Sequence, residues 1–246
     1  MKGIDWTRRA ELTENMDRAD CPENRLFRTL DQFRISNPLL TRYRHLLTTE
    51  VIRPMQRNPR RRRHLIDLGA GGCDIARWLV RKCRKKGLHL KVTALERDPR
   101  ILRYAEAANR EFPEIELVQT DIMEFTDWGN ADFVFANHLL HHLTDRACIE
   151  LLNRLNLVAP GRYILSDIVR DRACASVFGL LSSPFRSGFF HEDGLISIRR
   201  GFTRDELVRI IKSAGCNPEP RVRILFPARF AIIGGSGIII DFGFGT

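Results

Sequence analysis

The sequence predicts an α/β protein: a seven-stranded, mostly parallel sheet with helices on both faces, an antiparallel last strand and an N-terminal helical lid. Three observations carry that expectation. The stretch His64 to Ile75 reads as a strand, a glycine turn and a helix start. Short apolar runs then alternate with stripes at helical spacing as far as Ile164, which implies right-handed crossovers and a parallel sheet. Finally, 246 residues at 43% hydrophobic suffice for a substantial core in one domain with appendages.

Residues 1 to about 22 are charged and weakly periodic, and read as loosely ordered or a frayed helix. Leu26, Phe27, Leu30 and Phe33 recur at three- and four-residue spacing, the mark of a short amphipathic helix. Asn37-Pro38 reads as N-cap and first residue of a second helix running to about Arg53, before Pro54. Together residues 1–56 form an appendage that can lie across the open edge of a nucleotide-binding sheet.

Strand one is Leu65, Ile66 and Leu68, ending at Gly69, and its helix spans about Asp74 to Lys86. Glycines in such a loop allow positive φ and a close ligand approach, because no Cβ intervenes. Strand two is Leu88 to Glu96, and Asp98-Pro99 caps the helix holding Ile101, Leu102, Tyr104 and Ala105. Strand three is Ile115 to Gln119 and leads to Asp121. Strand four is Ala131 to Ala136, with Asn137 to Leu143 as its exit and a helix over Ala147 to Leu157. Strand five is Arg162 to Ser166.

Between Asp171 and Ile198 the alternation breaks into a Phe- and Ser-rich segment, 171–198, with Phe178, Phe185, Phe189, Phe190 and His191. It is either a core-packed excursion or a substrate-facing cover. Thr203 to Glu206 forms a capping box, and Leu207, Ile210, Ile211 and Ala214 carry that helix to Gly215. Two strands near Val222–Phe226 and Phe230–Ile233 complete the core domain, 57–233. The tail 234–246, with Ile238 to Ile240, is apolar and β-prone and has no functional account.

The N-terminus lacks an apolar signal region and no apolar run approaches the roughly 18 residues of a membrane span, so a cytoplasmic protein is expected. The six cysteines are scattered and suggest free thiols. Net charge is +10, part of it in the run Arg60 to Arg63. That run is either a solvated linker or a contact for nucleic acid, anionic lipid or an acidic partner; no aromatic residue is interleaved with it, as single-strand binding would want. Nothing in the sequence indicates the oligomeric state.

Asp67-Leu68-Gly69-Ala70-Gly71, Glu96 after strand two, Asp121 after strand three and the exit Asn137-His138-Leu139-Leu140-His141-His142-Leu143 together resemble a class I S-adenosylmethionine-dependent methyltransferase. The likeness spans about Leu65 to Ile233 and implies a Rossmann-like fold with S-adenosyl-L-methionine as cofactor. By that resemblance Asp67 holds the methionine amino group, Gly69, Ala70 and Gly71 line methionine and ribose, Glu96 accepts the ribose hydroxyls and Asp121 accepts from the adenine amine. Arg97, Ile122 and Asn137 complete the implied set. Cys73 stands where the family pattern has its third glycine. A dinucleotide site is disfavoured by Asp74, whose charge would face pyrophosphate at a helix N-terminus.

Methyl transfer needs a nucleophile held against the methyl group in a water-poor pocket, with a base if that nucleophile is a hydroxyl or carbon acid. His141, His142 and His191 are the candidates, although Leu-His-His-Leu is also a common turn in this family whatever the substrate. Asn137 and Asp167 offer two oxygen ligands without a clear third, so no metal is expected. The strand-four exit lacks the Asn/Asp-Pro-Pro-aromatic motif of base-modifying enzymes.

The exit, Asp167 to Arg170 and Ser197 to Thr203 are similar to quinone-biosynthesis-like methyltransferases, and Leu30 to Arg34 with Asn37 to bacterial relatives found alongside polyketide synthases. Both likenesses imply O- or C-methylation of a phenolic, quinol or polyketide-type small molecule in secondary metabolism. A rival reading is a basic S-adenosylmethionine-binding protein that methylates or docks on RNA or a protein.

Overall fold

A computed structural model describes residues 5–236 apart from 130 and 159. The triplet Ile238 to Ile240, and with it most of the 234–246 tail, lies outside the described residues. Among the described residues no helix is long and apolar enough to cross a membrane.

The chain begins with an irregular segment containing one 3-10 turn, Asn15–Asp17, and continues as α1 (Glu23–Leu40), α2 (Tyr43–Leu47), a π turn (Thr48–Ile52) and α3 (Arg53–Gln56). Then come β1 (Arg63–Leu68), α4 (Asp74–Lys85), β2 (Leu90–Glu96), α5 (Pro99–Ala108), β3 (Ile115–Gln119), β4 (Phe133–Asn137), α6 (Asp145–Val158) and β5 (Arg162–Ile168). A helical hairpin, α7 (Arg172–Leu181) and α8 (Phe190–Arg200), precedes α9 (Arg204–Ala214), β6 (Arg221–Leu225) and β7 (Arg229–Gly234).

The seven strands lie in the order β3-β2-β1-β4-β5-β7-β6. All neighbouring pairs are parallel except those made by β7, which runs antiparallel to β5 and β6. Strand order reverses between β1 and β4, and Leu68 sits level with Leu95 and Ala136. Such a switch point opens a crevice at the carboxyl ends of the strands, where ligands of open α/β sheets bind.

Alternate residues of each strand feed two cores. Leu65, Val92 and Phe135 pack with α4 on one face, while Ile66, Leu95, Val134 and Leu165 pack with α6 and α9 on the other. Leu46, Leu47, Val51, Ile52 and Met55 enter the first core, fully buried. At about 1.5–3 kcal/mol per buried side chain, these residues of α2, the π turn and α3 stabilise that core.

Three local expectations are corrected. Asn37-Pro38 does not open a helix: α1 runs through both residues and ends at Thr41, with the chain breaking at Arg42 (φ 57°). Asn37 is buried and its Nδ2 donates to Asp74 Oδ2 at 3.1 Å. The N-terminal segment is not frayed either. Arg9 donates to Asp145, His141 O, Leu143 O and Arg200 O, and Arg170 donates to Trp6 O and Thr7 O. The Phe-rich segment is the α7–α8 hairpin, its helix starts marked by Asp171, whose side chain accepts from Cys174 N at 2.7 Å. By contrast, Asp98 caps α5 and the box Thr203–Glu206 forms as read from the sequence.

Candidate functional site

The β1–α4 loop is held by short-range bonds that glycine makes possible. Gly69 and Gly71 take φ of 64° and 54°, and an added Cβ on Gly71 would meet nothing within 4 Å. That residue therefore leaves an open face for a ligand. Cys73, at the place of the third glycine, takes φ 56° and is buried, with its thiol pushed up to about 12 by burial. Arg77 reaches back from α4, donating to Gly72 O at 2.6 Å and Asn109 Oδ1 at 2.8 Å.

Around this loop stand three acids, Asp67 and Glu96 buried and Asp74 half-buried. Asp67, 4% exposed, has no hydrogen-bond partner for its carboxylate among the described residues. Burial raises its pKa to about 8, with the Asp74 and Glu96 charges adding to the effect. Burial also raises Asp74, against the Asn37 bond and Arg77. Glu96 is raised by burial too, partly offset by amide donors: Gly71 N to Oε2 at 3.1 Å and Asp98 N to Oε1 at 2.9 Å. Buried carboxylates so disposed make a cradle for a cation that also carries hydroxyl or amino donors.

The other implied residues stand at or just after the strand ends. Asp121 accepts from Met123 N at 2.8 Å, and Ile122 beside it is buried. Arg97 lies 4.0 Å from Asp17 of the N-terminal segment. Asn137 Oδ1 accepts from Arg229 Nη2 at 2.8 Å.

Arg229, missed by the sequence reading, comes from antiparallel β7 and is buried beneath the β4 exit, where it also approaches His138 at 2.8 Å. Burial, followed by the Arg229 charge, holds His138 well below the ordinary histidine value. Asn137 is bonded to Arg229, and Asp167 to His141.

The exit brings His141 and His142 together with an unforeseen partner. His141, 1% exposed, has its Nδ1 2.7 Å from Asp167 Oδ1, and its backbone amide donates to Asp167 Oδ2 at 3.0 Å. Its Nε2 lies 3.2 Å from Glu14 Oε1, off the line of a hydrogen bond. Burial alone would lower His141; the Asp167 and Glu14 carboxylates outweigh it and raise the imidazole to about 9. Against burial, His141 likewise holds Asp167 and Glu14 below the usual carboxylate range.

His142 has its Nδ1 3.0 Å from Asp17 Oδ2. Glu14 and Asp17 lie in a charged stretch with no periodicity, so no sequence signal marks them. His191 is not part of this group. Its Nδ1 is 2.8 Å from Ser182 Oγ and its Nε2 3.3 Å from Arg186, both residues of the α7 to α8 region.

Above the glycine loop, α1 packs Leu30 close to Gly72, and Tyr104 Oη donates to Asp31 at 2.7 Å. Phe33, Phe178 and Phe185 all stack on Phe190, forming an aromatic wall between α1 and the hairpin. The Arg run lies at the opposite end of the sheet, where Arg61 and Arg63 pair with Asp132 at 3.0 and 2.6 Å. A cavity of about 420 Å³ there is lined by Arg62, Arg63, Arg84 and Lys91, away from every residue of the cradle.

Residues 66–155 match a family described as a methyltransferase domain. Over 110 residues the chain is 31% identical to (RS)-norcoclaurine 6-O-methyltransferase of Thalictrum flavum subsp. glaucum, covering 44% of this chain and 28% of that enzyme. The chain thus spans little more than a quarter of the curated relative it matches. A SAM-dependent methyltransferase from Aquifex aeolicus superposes with a TM-score of 0.54 at 16% identity, covering 80% of this chain and 91% of that one. Human N-acetylserotonin methyltransferase, solved with SAM, gives 0.54 at 17% identity over 80% and 52%. Residues 66–155 thus match a methyltransferase domain, and the strand order and overall fold are those of S-adenosylmethionine-dependent methyltransferases of known structure.

Proposed function

We propose that the chain transfers a methyl group from S-adenosyl-L-methionine to an oxygen or carbon of a small phenolic, quinol or polyketide-type molecule, as a step of secondary metabolism. The observation that carries this reading is the unpartnered buried carboxylate of Asp67 beside Asp74 and Glu96, an anionic cradle suited to a ligand with an ammonium group and no phosphate. When bound, the cofactor supplies an electrophilic methyl carbon on a sulfonium. Asp67 would hold its ammonium group, and Glu96 its ribose hydroxyls on the lone pairs left beside two amide bonds. Asp121 would accept from the adenine amine with Ile122 against the ring, while Gly69, Ala70, Gly71, Arg97 and Asn137 border the rest.

The acceptor side is served by the β4 histidines and the aromatic wall. Asp167 orients His141, so that His141 and His142 stand as the groups that steer the acceptor oxygen, and His191 backs the Phe190 cluster. Helix α1 and the hairpin exclude water from this space as a lid. The plant relative is an O-methyltransferase of a small molecule, and that chemistry is extended here to this chain. Unpaired cysteines throughout suit a reducing, cytoplasmic setting.

Calorimetric titration of S-adenosylhomocysteine, followed by a labelled-methyl assay on a panel of phenols, quinols and polyketides, tests the reading. Saturable binding and turnover of a panel member are expected. No turnover, together with steeply salt-dependent RNA binding lost on replacing Arg60 to Arg63, would replace it with the RNA-docking alternative.

A further inference from the structure

His141 and His142 share one arrangement of partners. Each ring places Nδ1 against a carboxylate, Asp167 at 2.7 Å and Asp17 at 3.0 Å. Each then turns Nε2 toward the same third carboxylate, Glu14: 3.2 Å from His141 to Oε1 and 3.9 Å from His142 to Oε2. A carboxylate on Nδ1 draws the ring proton to that side and leaves a lone pair on Nε2, the arrangement by which outer carboxylates orient metal-binding histidines.

Two imidazole nitrogens and a carboxylate thus converge on one small volume, the donor set and spacing that a divalent cation takes. His141 Nε2 lies in a ring 1% exposed and has no aligned hydrogen-bond partner among the described residues. Ligand atoms of Glu14, His141 and His142 fall within 4.8 Å of one another. Around a tetrahedral zinc ion two ligands stand about 3.4 Å apart, close to the spacings found here. Glu14 is held in place for this: Ser197 Oγ donates to its Oε1 at 2.7 Å, and Asp193 accepts the Asn15 and Met16 amides that follow it.

We propose that Glu14, His141 and His142 bind one divalent cation of the zinc class, with Asp167 and Asp17 as the outer carboxylates. The sequence offered no such site, because its carboxylate ligand comes from the N-terminal segment, outside the matched domain. A two-histidine, one-carboxylate set leaves a coordination position open. On the methyl-transfer reading that position would hold the acceptor oxygen; metal binding itself does not depend on that reading.

The test uses the full chain, dialysed against a chelator and titrated with cobalt(II), whose visible absorption reports a low-coordinate site. One equivalent is expected to bind and to be displaced by zinc. Glu14→Gln and His142→Ala should each weaken cobalt binding at least about 10-fold, and Asp167→Asn by about 10–100-fold, with thermal melts showing that the variants fold. His142 is partly exposed, so its truncation spares the core. No uptake by wild type, or equal uptake in all variants, would overturn the site and leave protonated histidines as the bridge. S-adenosylhomocysteine calorimetry on the same samples reports the cofactor cradle alone, so failure of one reading is distinguishable from failure of the other.

Discussion

Gly71 donates its amide hydrogen to Glu96 Oε2 across 3.1 Å, joining the glycine loop to the end of β2. The same carboxylate takes the Asp98 amide on its other oxygen, so Glu96 is oriented before a ribose arrives. Replacing it with alanine removes both the acceptor and the brace. Hydrogen bonds to charged groups contribute about 1.5–3 kcal/mol, so Glu96→Ala should weaken S-adenosylhomocysteine binding by about 10–100-fold in calorimetry. Equal affinity in the two proteins would sink the ribose assignment.

The raised Asp67 makes stability depend on pH in a defined direction. Below the unfolded value of about 4 both states are protonated and the group contributes nothing. Between there and its folded value of about 8 the unfolded chain ionises while the folded one does not, so stability falls as pH rises through that window. Asp67→Asn removes the penalty. In thermal melts without ligand the variant should gain more over wild type at pH 8 than at pH 5. A gain that does not grow with pH would show that Asp67 ionises freely in the folded chain.

Helix α1 is fastened to the hairpin at Gly188. Arg25 donates to Gly188 O at 2.8 Å and Thr29 accepts from Phe189 N at 2.8 Å. A Cβ on Gly188 would stand 2.7 Å from Thr29 Oγ1 and 3.0 Å from its backbone nitrogen. Overpacking of this kind costs about 1–3 kcal/mol, so Gly188→Ala should lower Tm by about 2–12 °C and speed tryptic cleavage in α1. Unchanged cleavage would mean that the seam does not restrain the helix.

Arg170 and Glu206 form the most enclosed ion pair outside the site, with Arg170 Nη2 2.7 Å and Nη1 3.0 Å from the two carboxylate oxygens. The same guanidinium holds the carbonyls of Trp6, Thr7 and Gly201. Breaking one partner of a buried pair costs about 3–5 kcal/mol, so Arg170→Met should lower Tm by roughly 6–20 °C and expose residues 5–10 to proteolysis. A Tm within a degree or two of wild type would assign the pair no structural role.

The sequence by itself determined the strands, because short apolar runs, glycine turns and the Asp98 and Thr203 caps are local signals that short-range hydrogen bonds reproduce. It likewise put Asp67, Gly71, Glu96 and Asp121 at or just after strand ends, and parallel strands in register bring those ends to one edge of the sheet. Only the tertiary structure decided that α1 runs through Pro38, that α2 and α3 belong to the core, and that Arg229 lies under Asn137 and His138. It also decided that Glu14 faces His141, since a charged residue in an irregular segment has no periodicity to announce its partner. Its place depends on many distant bonds acting together, among them those of Arg9, Asp193 and Ser197, and no local rule encodes such a sum.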